Sequence, residues 1–153
     1  MKVIEAIRVI FVSCEALFVS IIIAIYFYYP AFFVGIGANF QTNDEIWKFI
    51  PSIPVVVCGF SIQYAWKILM PLESNSNRLL HEWPSYWKLK LRVILSVILC
   101  SICVLFAIAI WFLSKNISSL NVGAIFISSI IVSLTVAFNQ FLAAFKVREL
   151  MEP

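Results

Sequence analysis

Uncharged apolar stretches cover most of this chain, at Ala16–Ala38, Phe49–Trp66, Val93–Ser114 and Asn116–Phe145. Each approaches or exceeds the roughly 20 helical residues that cross a hydrocarbon core of about 30 Å. The pattern predicts an all-α integral membrane four-helix bundle occupying residues 1–153 as one domain. The spans fall at about 8–29, 51–70, 84–113 and 120–145, with a polar connector at 71–92.

Punctuation residues set these boundaries. Pro30 ends the first span behind Tyr26, Tyr28 and Tyr29, rings that favour the membrane–water interface. Ala31–Phe40, apolar and glycine-containing, is expected to stay against the membrane. Thr42-Asn43-Asp44-Glu45 has the capping-box pattern and predicts a short interfacial helix before Pro51. Pro51 and Pro54 suit the first turn of the second span, which Pro71 stops. Trp83-Pro84 reads as the start of the third helix, with proline at its first position. Ser114–Ser119 is a tight turn.

Composition agrees with a lipid solvent. With 63% hydrophobic and 12% charged residues and a mean hydropathy of +1.00, the chain has too little polar surface to coat a water-soluble globule. Lys2 and Arg8 ahead of an apolar run suggest a signal peptide. Ala16–Val34, however, exceeds a usual h-region of about 7–15 residues, and Glu15 sits where no charge is expected, so the segment reads as a retained span.

The net charge of +3 is small, and its placement carries the information. Nine lysines and arginines (2, 8, 67, 78, 88, 90, 92, 146 and 148) fall on one side of the predicted spans, against Lys48 and Lys115 on the other. The positive-inside rule then puts both termini and the 71–92 connector in the cytoplasm. Direct nucleic-acid binding is not indicated.

Three groups of residues carry candidate chemistry. The connector combines Arg78, Leu79, Leu80, Trp83, Tyr86, Trp87, Lys88, Lys90 and Arg92, a set suited to anchoring on anionic headgroups and to docking a cytosolic protein. Glu15, Gln63, Asn139 and Gln140 lie at similar depth in the basic half of the membrane. Intramembrane polar groups usually face a bundle interior, so Glu15 is expected to hydrogen-bond with one of the other three, as a helix clasp or a water-lined path. Ser96, Cys100, Ala124, Ser128, Ser133 and Thr135 follow three- and four-residue spacing, which permits close helix packing, within the chain or between copies.

Enzymatic readings find no support in the sequence. There is no Ser/His/Asp set, no HExxH, no phosphate-cradling glycine loop, and a single histidine, His81. Cys100-Ser101-Ile102-Cys103 is formally a CxxC, but in an apolar helix it reads as small core hydrophobes. No cofactor and no metal are expected.

Four spans over nearly the whole length, cytoplasmic ends, tiny outer loops and a basic aromatic stretch at Trp83–Arg92 resemble small bacterial inner-membrane proteins of anti-phage systems, in particular the membrane subunit of the Kiwa system. That resemblance implies a homo-oligomeric sensor in the bacterial inner membrane that recruits a cytosolic DNA-binding effector when the envelope is disturbed. The sequence thus leads to a non-enzymatic membrane scaffold, with a small pore-forming or holin-like effector as the alternative.

Overall fold

The computed structural model describes residues 14–43, 45, 49, 51–70, 84–113 and 116–151. They form five helices and no strand: α1 (Cys14–Tyr28), α2 (Pro30–Thr42), α3 (Ser52–Leu69), α4 (Tyr86–Leu113) and α5 (Ser119–Met151). Three of these, α3, α4 and α5, are long and apolar enough to cross a membrane. A fourth crossing exists if α1 and α2 count as one bent span.

The bend between α1 and α2 is 93° and has a local cause. Proline disfavours helical geometry in the residue before it, and Tyr29 leaves the helix at φ −134°, ψ 58° after its N–H makes a last bond to Ile25 O at 2.8 Å. Pro30 then opens α2, where its missing N–H costs nothing. The segment expected only to hug the membrane is therefore a helix of 13 residues, about 20 Å long. Thr42 closes α2, its hydroxyl donating to Ala38 O at 2.9 Å, and the Asn43 side chain accepts from the Glu45 N–H at 3.1 Å. The short interfacial helix expected before Pro51 falls largely outside the described residues.

Two other boundaries differ from expectation. α4 begins after a turn at Pro84-Ser85, where Ser85 O accepts the Lys88 N–H at 3.0 Å, so the proline precedes the helix rather than opening it. α5 continues to Met151, past the expected end at 145.

α5 is the hub. α3, α4 and α5 pack against one another in pairs, whereas α1 and α2 attach to α5 with little packing against α3 or α4. Among the described residues the architecture is thus a three-helix core carrying a bent two-helix arm. Periodicity alone could not reveal this, because helices that are apolar all round do not declare which face meets a neighbour.

Three apolar clusters follow α5 along its length. Ala65, Ile68, Val93 and Ala144 close one end of the core, Cys58, Cys100 and Val136 fill its middle, and Ile22, Phe33 and Ala124 join the arm to the other end. At that last end the contact is backbone to backbone. A methyl group on Gly37 would overlap the carbonyl oxygen of Ser119, and one on Gly123 the carbonyl oxygen of Phe33. Glycine is required at both positions because nothing larger fits where α2 crosses α5.

Candidate functional site

Two polar bridges leave α5 from consecutive residues. Asn139 Nδ2 donates to Oε1 of Glu15 on α1 at 3.0 Å, and Glu15 is only 5% exposed. Gln140, 3% exposed, accepts at Oε1 from the hydroxyl of Ser61 on α3 at 2.5 Å. Neighbouring side chains on a helix diverge by about 100°, so one turn of α5 reaches both the arm and the core. The Gln140 Nε2 group is buried without a hydrogen-bond partner among the described residues.

Gln63 does not join this layer. It shares the expected depth, but Ser61 faces the core with no exposure, and two residues of helix rotate the chain by about 200°. Gln63 therefore lies on the exposed side of α3. Counting residues fixes depth; the facing direction depends on which side of α3 meets α5, and its apolar positions ring the helix.

The small-residue positions lie where helices meet. Cys100, Ala124 and Ser133 are buried, and Ser96, Ser128 and Thr135 are half-buried. Ser128, Ser129, Ser133 and Thr135 donate to carbonyls three or four residues back on α5, at 2.6, 2.8, 3.0 and 2.8 Å. Their hydroxyls are thus satisfied within the helix itself. Cys58, Cys100 and Cys103 are buried free thiols, and no group of three potential metal ligands occurs among the described residues.

Beside the arm, an apolar crevice of about 440 Å³ separates α1 from α4 over α5. Val19, Phe27, Phe106 and Val132 supply much of its wall, and Tyr26 and Asn121 also line it. The Tyr26 hydroxyl donates to Asn121 Oδ1 at 2.9 Å.

The basic residues gather at the opposite end of the molecule from the glycine crossing. Lys67 ends α3, Lys88, Lys90 and Arg92 begin α4, and Lys146 and Arg148 lie near the end of α5. The cluster around Val93 and Ala144 packs these three helix ends together, with Leu89 and Val147 against it. Lys90 and Arg92 are exposed, while Tyr86, Trp87 and Lys88 are half-buried. The Lys88 ammonium sits 5.9 Å from the Trp87 ring centre, and Lys67 sits 5.0 Å from that of Tyr64, distances at which a cation is drawn to a ring face. Arg78, Leu79, Leu80 and Trp83 lie outside the described residues.

Several contacts had no counterpart among the sequence expectations. Ser61 is the partner of Gln140, Tyr26 binds Asn121 rather than serving only as a belt residue, and the Gln41 amide donates to Ile117 O at 2.9 Å. Gly37 and Gly123 carried a usable signal: the chain has four glycines, and two of them make the crossing.

No family of known proteins, no curated protein and no solved structure matches this chain. The class defined by its own architecture is an all-helical protein with three or four helices able to cross a membrane.

Proposed function

We propose that this chain is a non-enzymatic, multi-pass scaffold of the bacterial inner membrane that self-assembles and presents its basic end to a cytosolic protein. The observation that carries the reading is the overhang of two helices on that side. α4 has 28 residues and α5 has 33, about 42 and 50 Å of helix against a hydrocarbon core of about 30 Å. The excess bears Tyr86–Arg92 on one helix and Lys146–Arg148 on the other, held together by the Val93 and Ala144 cluster. A packed platform of basic and aromatic side chains suits protein recognition better than a mobile anchor would, because its side chains are partly ordered before binding.

The same charge placement supports cytoplasmic termini and a cytoplasmic 71–92 connector. The resemblance to anti-phage membrane subunits extends the proposal to a sensor that recruits an effector during envelope disturbance. The pore alternative draws less support, because the α5 hydroxyls suited to line a path bond to their own helix.

The test is affinity capture from native membranes of the source cell. One cytosolic protein should co-purify at a fixed ratio and be lost when Trp87→Ala is combined with Lys90→Ala. Capture that survives the double change, or maleimide labelling that finds a cysteine introduced at Lys90 on the periplasmic side, overturns the reading.

A further inference from the structure

The exposed side of α3 holds two residues that the chain itself does not explain. Ser61 marks the face of α3 turned toward α5. Gly59 and Gln63, two positions before and after it, each lie about 160° away on the opposite face, and both are exposed. Val56, 57% exposed, continues the same face one turn earlier.

Gln63 stands apart from comparable side chains. The three long helices contain four side-chain amides. Asn121 accepts from Tyr26, Asn139 donates to Glu15 and Gln140 accepts from Ser61. Gln63 alone makes no hydrogen bond among the described residues. It lies six residues, about 9 Å, inside the Leu69 end of α3, where an unpaired amide meets hydrocarbon and polar residues ordinarily seek another helix.

Gly59 has no packing role within the chain either. Gly37 and Gly123 are pressed against carbonyl oxygens of a crossing helix, but a methyl group at Gly59, as at Gly35, would meet open space. Gly59 differs from Gly35 in lying one turn from the Gln63 amide on the same face. Intrachain packing therefore gives no reason for glycine there. A flat surface one turn from a polar side chain does have a use where a second helix approaches closely.

We propose that the Gly59 and Gln63 face of α3 is a self-association surface, and that its occupant is the same face of a second copy of this chain. The chemistry selects a copy. A side-chain amide is both donor and acceptor, so two glutamines related by a two-fold axis along the membrane normal satisfy each other reciprocally. Copies inserted with one topology can be related by that axis, which makes the surface self-complementary. The proposal rests on the self-assembly included in the proposed function and assigns its interface.

The experiment measures self-association of the full chain in liposomes by energy transfer between labelled copies over a range of protein-to-lipid ratios. Gln63→Leu and Gly59→Leu should each weaken association about tenfold, Gln63→Asn should retain most of it, and thermal unfolding of the monomer should be unchanged. In a Cys14→Ser background, oxidation should trap a covalent dimer through Val56→Cys but not through Leu105→Cys on exposed α4. If the chain associates and neither leucine substitution matters, the interface is elsewhere and assembly stands. If the unaltered chain stays monomeric at every ratio, assembly and interface both fail. Cytosolic capture is read separately and can succeed in either case.

Discussion

The two ends of α5 are held in opposite ways. Near Ser119 its backbone lies directly against the backbone of α2 at Gly37 and Gly123, with Phe33, Phe40, Ala124 and Phe126 packed around that crossing. Near Ala144 it meets α3 and α4 through interdigitated side chains, Ala65, Ile68, Val93 and their half-buried neighbours. A side-chain contact can relax around a changed residue, whereas a contact between two backbones has nothing that can move aside. The first end should be intolerant of substitution and the second adaptable, which fits a molecule whose adaptable end carries the proposed docking platform.

The strongest way to break this comparison is to add atoms at the crossing. Gly123→Val should destabilise the chain by about 3 kcal/mol or more, read as a lower midpoint in thermal unfolding of the detergent-solubilised protein. Gly35→Ala is the control, since a methyl group there meets nothing within 4 Å, and its midpoint should not fall. At the other end Ala144→Val should cost less than Gly123→Val. Equal losses at the two positions would mean that both ends are equally rigid.

A smaller effect is expected at the bridge between the arm and α5. Asn139→Leu removes the donor to Glu15 and leaves a buried carboxyl without that bond, at a cost of about 1–2 kcal/mol. Glu15→Gln keeps an acceptor oxygen for Asn139 and should cost less. Ser61→Ala acts on the core bridge, where Gln140 already has one buried group without a partner, so losing the second contact should cost about 1 kcal/mol. If Asn139→Leu is silent while Ser61→Ala is not, the arm is held by its glycine crossing alone.

These sites differ in how far the amino-acid sequence alone reveals them. Apolar length against bilayer thickness marks α3, α4 and α5 because the solvent imposes a minimum span, and residue counting puts Glu15 level with Asn139. Facing direction is hidden. Gln63 lies at the depth of Gln140 yet turns away from it, because lipid is as apolar as the protein interior and erases the contrast that reveals a buried face in water. The bend at Pro30 has a visible cause, but whether α2 continues or folds back depends on Gly37 meeting Gly123, a pairing between residues 86 positions apart in the sequence.

The finest test of the comparison uses Tyr26, where the arm meets the glycine end of α5. Tyr26→Phe deletes one hydroxyl and its 2.9 Å bond to Asn121 while keeping the ring against Phe27 and Phe33, with centroids 5.5 and 6.3 Å away. Side-chain hydrogen bonds in membranes average about 0.6 kcal/mol, and Asn121 is only half-buried, so a loss near that average is expected. Tyr26→Ala removes the ring as well and should cost several-fold more, because it opens the side of the crevice that the ring walls. If Tyr26→Phe were as damaging as Gly123→Val, the hydrogen bond rather than backbone contact would fix the arm, and the contrast between the two ends of α5 would be one of polar anchoring instead of packing.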